Sequence, residues 1–177
     1  SANNPERVRA AELEIPILTR AAALAVLMSE SKSIAVAGTH GKTTTSSMLA
    51  VALQACGADP SFAIGGTITA SGSNAHRGTG EIFVAEADES DGSFIEYNPF
   101  AAIVTNVEHD HVDFFPTPES VAQAFRDFVA TIKPEGFLTY CADDAGSAAL
   151  ASTTKSLQLL SYGVSEGADL HIDHIEL

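Results

Sequence analysis

Residues 34–50 read IAVAGTHGKTTTSSMLA, and the reading of this stretch decides the fold. Ile34, Ala35 and Val36 form a short apolar run of the kind that builds a buried strand. Gly38 and Gly41 allow a turn too tight for a Cβ, and a segment of helical composition follows Lys42 and Thr43. Strand, glycine loop, Lys-Thr and helix together form the layout of a phosphate cradle. Backbone N–H groups at a helix N-terminus point at an anion, the lysine adds a point charge, and the hydroxyl of Thr43 can bind Mg²⁺. The common pattern G-x-x-x-x-G-K-[ST] is not met, because Val36 stands where its first glycine belongs; this chain carries the shorter G-x-x-G-K-T. A plain glycine turn with an exposed lysine would read the same way in isolation.

With 177 residues, 45% hydrophobic and 18% charged, the chain is long enough for one domain with a proper core and has the composition of a soluble globular protein. Its net charge of −14 excludes nucleic-acid binding by phosphate neutralisation. An anionic nucleotide has to be held locally instead, by backbone dipoles, one lysine and a metal. The longest apolar run, residues 21–28, is too short to cross a bilayer, so no membrane insertion is expected. With no secretory signal in view, the expected compartment is the cytoplasm. Cys56 and Cys141 are expected to be two buried thiols.

Asn4-Pro5-Glu6 predicts a capped helix to about Leu13, and Thr19 caps a second to about Glu30. A helix over residues 43–56 ends at Gly57, and residues 61–64 are a strand. Residues 65–80, rich in glycine, serine and threonine, read as a loop or an open hairpin. Strands are predicted at 82–85, 101–105, 137–141, 157–162 and 170–175, the last antiparallel or part of an edge hairpin. Helices are predicted from Thr117-Pro118-Glu119, with Val121, Phe125, Phe128, Val129 and Ile132 on one face, and at 145–152. Strands alternating with helices predict an α/β fold with a mostly parallel sheet covered on both faces.

Three of the predicted strands end in polar clusters: the glycine loop, Glu86-Ala87-Asp88-Glu89-Ser90-Asp91, and Asn106-Val107-Glu108-His109-Asp110-His111. Parallel strands would bring all three to one carboxyl edge, where open α/β sheets bind ligands. Thr43 and Glu86 are hard oxygen donors suited to Mg²⁺; a histidine ligand would also suit Mn²⁺, and the histidines leave zinc open. Read singly, Glu86 is equally an exposed carboxylate, and Asp88, Glu89 and Asp91 equally a solvated acidic loop.

GTHGKTTT, EADESDGSF and TNVEHDHVD, in this order, resemble the central ATP-binding domain of the Mur ligases, the amide-bond formers of bacterial cell-wall synthesis. That family's loop is the short form found here. The histidine before Gly41 and the Ser90 position resemble the branch that joins L-alanine to UDP-N-acetylmuramate. A branch that recycles intact peptides onto the same nucleotide sugar is the alternative, and a non-catalytic nucleotide-binding module on the same fold is another.

The resemblance implies a P-loop NTPase-like Mur ligase central domain, truncated. Residues 1–30 would be the tail of a preceding UDP-binding domain or a linker, and residues 31–177 an incomplete ATP-binding domain. It implies ATP with Mg²⁺ or Mn²⁺, and an acyl phosphate on the lactyl carboxylate that L-alanine attacks. Gly38, Thr39, His40, Gly41, Lys42, Thr43 and Thr44 would hold the phosphates, and Thr43, Glu86 and His111 the divalent ion. Lys42, Glu86, His111 and Asn106 would carry the chemistry, with Asp88, Glu89, Ser90 and Asp91 on the substrate side. The chain alone is expected to bind phosphate weakly and not to ligate. Sister ligases use a carbamylated lysine downstream, but no lysine stands between Lys42 and Lys133 here, and Arg126 occupies the comparable helix.

Overall fold

The computed structural model describes residues 4–69 and 71–174. Helix α1 (Pro5–Glu12) starts at Asn4, whose side chain accepts from the N–H groups of Glu6 and Arg7, and it buries no residue. Helix α2 (Arg20–Met28) is capped by Thr19 and buries Ala21 and Met28. Then come β1 (Lys32–Ala37), α3 (Lys42–Ala55), β2 (Ser61–Ile68), β3 (Ser73–His76), β4 (Ile82–Glu86) and β5 (Ala101–Val104). The remaining elements are α4 (Pro118–Ala130), β6 (Phe137–Cys141), α5 (Ala145–Thr153), β7 (Gln158–Gly163) and β8 (Leu170–His171).

The described residues form an eight-stranded sheet in the order β3-β2-β4-β1-β5-β6-β7-β8. Every neighbouring pair is parallel except β2 with β3. The central strands are runs of Ala, Val, Ile and Phe because both of their faces are covered. Alternation sorts their side chains. Phe83 and Ala85 face the larger core with Met28, Phe94, Phe125 and Phe128, while Val84 faces the smaller one with Ala50, Phe62 and Ile64. The mostly parallel, doubly covered sheet expected from the sequence is the sheet observed.

Register is what builds the site. Val36 lies beside Glu86 on one side and Ile103 on the other, so the three strands with polar ends finish level. The segment after β4 is then nailed down by its own aromatic. Phe94, in a short 3₁₀ turn (Ser93–Glu96), is fully buried, stacks on Phe128 at 4.8 Å and meets Phe125 edge-on at 5.4 Å.

Of the two readings of residues 65–80, the open hairpin is the one observed, with β3 returning antiparallel to β2. Some sequence expectations need correction. Strand β2 does not stop at residue 64 but runs on to Ile68. Asp59 ties that hairpin down, contacting His76 at 3.1 Å and accepting from the backbone of Thr79 at 2.8 Å. Strand β8 is a two-residue edge strand parallel to β7, not antiparallel, and the expected end at Ile175 lies outside the described residues. Ile132 is buried but lies beyond the end of α4. Cys56 is exposed at the C-cap of α3 and Cys141 is half-buried, so the two are not a buried pair; both thiols are free. No described helix is long and apolar enough to cross a membrane.

Candidate functional site

The glycine loop leaves β1 with Gly38 at φ 138° and enters α3 through Gly41 at φ 83°. Gly41 is the N-cap and has no side chain to accept from the first turn, so the opening N–H groups of α3 are left for an outside acceptor. Gly38 is required by contact as well as by φ, because a Cβ there would lie 2.0 Å from Thr105 Oγ1. The loop is held from the β5 side. Asn106 clasps the His40 peptide, accepting from its N–H at 2.8 Å and donating to its carbonyl at 3.0 Å. Thr105 donates to the same carbonyl at 2.6 Å, and the buried Thr39 hydroxyl accepts from Glu108 N–H at 2.9 Å. Val107 is fixed in turn by donating to Asp144, the N-cap of α5.

Two linked pairs sit against this loop. Thr43 donates to Glu86 Oε1 at 3.0 Å, and the other oxygen of Glu86 accepts from Gly65 N–H at 2.6 Å. Lys42 folds back: Nζ donates to the carbonyls of Gly38 at 2.8 Å and Thr39 at 3.3 Å, and to Glu89 Oε1 at 3.1 Å. His111 reaches the same carboxylate, with Nε2 3.3 Å from Glu89 Oε1. His111 is held at φ 51°, in the left-handed region that non-glycine residues seldom occupy. Lys42, Thr43, Glu86 and His111 therefore lie in one neighbourhood.

The other expected residues fall around it. The carboxylates of Asp88 and Asp91 accept from Ser90 and Ser93 N–H at 3.0 Å each, shaping the acidic segment into two small turns. The hydrogen bonds from Ser93 hold the Asp91 carboxyl below its ordinary pKa. Asp88, Glu86 and Gly65 line a cavity of about 230 Å³ that also takes in Arg20 and Asn74. Thr44 is exposed in the first turn of α3, and His40 is exposed with Nε2 3.9 Å from Glu108. His109 points elsewhere, to the Phe115 carbonyl at 2.9 Å.

A family model described as the Mur ligase middle domain matches residues 36–177. The chain belongs to the Mur ligase family. A curated relative from Rhodococcus opacus, a UDP-N-acetylmuramate–L-alanine ligase, is 52% identical, the match covering 94% of this chain and 34% of the relative. One of the same name from Nocardioides is 58% identical, covering 84% and 33%. This Mur ligase chain thus spans about a third of the length of the curated relatives it matches.

Among solved structures, the UDP-N-acetylmuramate-alanine ligase of Thermotoga maritima superposes with a TM-score of 0.75 at 29% identity, covering 94% of this chain and 37% of that one. The UDP-N-acetylmuramate:L-alanyl-gamma-D-glutamyl-meso-diaminopimelate ligase of Neisseria meningitides gives 0.80 at 27% identity, covering 92% and 56%.

The donors of this Mur ligase suit a hard divalent ion carried by a nucleotide. Thr43 and Glu86 offer a hydroxyl and a carboxylate side by side. Among the described residues no group of three or more His, Cys, Asp and Glu side chains is arranged to hold a metal. Mg²⁺ is commonly held in that manner, by one or two protein oxygens with phosphates and water; a closed zinc set is not what these residues form.

What sequence reasoning missed is Glu89 as the partner of Lys42. Its side chain is 2% exposed, so the segment is not a solvated acidic loop at that position. No local pattern marks this, because the segment is anchored by Phe94 packing on Phe125 and Phe128 of α4, a contact distant in sequence. Thr105 was missed as well, although a threonine opposite a glycine that must approach closely is a signal that could have found it.

Proposed function

We propose that this chain is the phosphate-binding part of an ATP-dependent carbon–nitrogen ligase that joins L-alanine to UDP-N-acetylmuramate in peptidoglycan synthesis. The observation that carries the reading is the meeting of Lys42, Thr43, Glu86 and His111 at one sheet edge, in front of the uncapped N-terminus of α3. The names of relatives more than half identical to it supply the substrate class.

In the proposed reaction the lactyl carboxylate becomes an acyl phosphate, the amine of L-alanine attacks its carbonyl carbon, and phosphate leaves. ATP supplies the phosphoryl group, and Mg²⁺, or Mn²⁺ in its place, neutralises charge on the phosphates. The chain's own contribution is positioning and electrostatics. The loop from Gly38 to Thr44 presents backbone donors, and Lys42 adds one positive charge. Thr43, Glu86 and His111 would hold the ion. Asn106 keeps the loop in shape by clasping the His40 peptide. Asp88, Ser90 and Asp91 face the substrate side, beside the cavity that Asp88 and Arg20 line.

The peptide-recycling branch is the second reading, supported by the TM-score of 0.80 with the Neisseria structure. Identity of 52–58% against 27% favours the alanine branch, since backbone likeness alone does not choose a substrate. A ligation assay in a chain extended to the relatives' length, offered L-alanine against tripeptide, separates the two. For the chain itself the test is calorimetric titration with ATP and Mg²⁺. Lys42→Ala is expected to weaken binding at least about tenfold, the scale of one charge-assisted contact; equal affinity contradicts the reading.

A further inference from the structure

The lysine that the phosphate site depends on is already spoken for. An ammonium group has three protons, and in Lys42 they go to Gly38 O, Thr39 O and Glu89 Oε1. Nothing is left for a phosphate oxygen unless one acceptor is given up. The two carbonyls belong to a loop whose backbone is pinned by Thr105 and Asn106. The third acceptor is a carboxylate, an anion like the incoming group.

Glu89 is also almost wholly enclosed. Its side chain is 2% exposed against 13% for Lys42, and Nζ stands 2.9 Å from Oε2. That oxygen lies off the hydrogen-bond direction and has no hydrogen-bond partner among the described residues. A buried carboxylate that loses its counter-ion is costly, and the imidazole of His111 also stands within reach, 3.3 Å from Oε1.

From this we infer that Glu89 is a positioning residue acting through Lys42. It stands in for a phosphate in the nucleotide-free chain, holding the lysine retracted, and it yields the lysine when a phosphoryl group enters the loop. In the absence of the divalent ion, His111 stays within reach of the released carboxylate. The inference rests on the phosphate-loop reading. It adds that the loop is self-ligated at rest and that phosphate binds by exchange against Glu89.

Inorganic tripolyphosphate, without metal, is the probe. Glu89→Gln removes the charge and keeps the shape; Glu89→Asp keeps the charge and draws it back by about 1.5 Å. Both are expected to bind tripolyphosphate about tenfold more tightly than the wild-type chain, because neither competes fully for Lys42. If Glu89 acts only by repelling the anion through space, the Asp variant binds like wild type, and the exchange is overturned. Weaker binding in both variants overturns it too. Binding that Lys42→Met leaves unchanged overturns the phosphate-loop reading itself; binding that needs Lys42 but ignores both Glu89 changes overturns the exchange alone.

The wild-type chain gives a second readout that no folding defect can blur. Nuclear Overhauser contacts between the Lys42 Hε and Glu89 Hγ protons are expected in the free chain and lost on saturation with tripolyphosphate. Their persistence in the complex contradicts the inference.

Discussion

Gly66 carries no side chain where a Cβ would lie 2.7 Å from the Thr43 methyl, and at Gly65 a Cβ would lie 2.8 Å from Glu86 Oε1. The two glycines leave room for the hydroxyl–carboxylate pair. Gly66→Ala is therefore expected to displace Thr43 and to weaken Mg²⁺-dependent ATP binding by about tenfold or more, the scale of disturbed support around a metal ligand. Binding measured in excess chelator should change less. An equal change with and without metal would count against the pairing of Thr43 and Glu86 as an ion site. Glu86, the last residue of β4, and His111, in the segment after β5, were legible because each belongs to a polar cluster that follows an apolar strand, and the resemblance singled them out within those clusters. Glu89 was not: in EADESD it is one carboxylate among four, and only the buried Phe94 five residues later separates it from its neighbours.

Among the elements, the hairpin of β2 and β3 depends on one carboxylate. Hydrogen bonds from Thr79, and then the contact with His76, lower the Asp59 pKa from 3.8 to about 2. A folded pKa below the unfolded one gives stability that is present above the unfolded value and lost as pH falls through the folded one. Hydrogen exchange at residues 73–79 is accordingly expected to accelerate as pH drops from about 4 towards 2, beyond the intrinsic pH trend. In Asp59→Asn that extra step should be absent; an identical profile in the variant contradicts the role. The other dependence is on α4. Phe125 is fully buried and meets Phe94, so Phe125→Ala should cost about 3–5 kcal/mol in urea unfolding. A cost below about 1 kcal/mol would mean that this packing is not what holds the acidic segment. The amphipathic spacing of α4 was readable from Val121 to Val129. The bounds of strand β3 were not, since Ser-Asn-Ala-His has no apolar alternation; its pairing with β2 and the Asp59 contacts to His76 and Thr79 join residues distant in sequence.

At the scale of the whole molecule, a chain of net charge −14 is asked to bind an anion. Like charges repel at a distance and salt screens them. Raising ionic strength is expected to speed ATP association a few-fold, roughly the low end of steering effects with the sign reversed; slower association in salt would reveal a positive approach face that the composition does not suggest. The fold was legible because helix and strand signals alternate, and the parallel register that levels the strand ends follows from that topology. The retracted lysine was not legible, being a contact between residues 47 positions apart. The central claim is that the glycine loop, Glu86 and His111 converge on one metal–nucleotide group. A crystal structure of this chain with Mg²⁺ and a non-hydrolysable ATP analogue tests it most directly. The expected result is a terminal phosphate against Lys42, with the ion held by Thr43, Glu86 and His111; a nucleotide bound elsewhere, or an ion that touches none of the three, would contradict it.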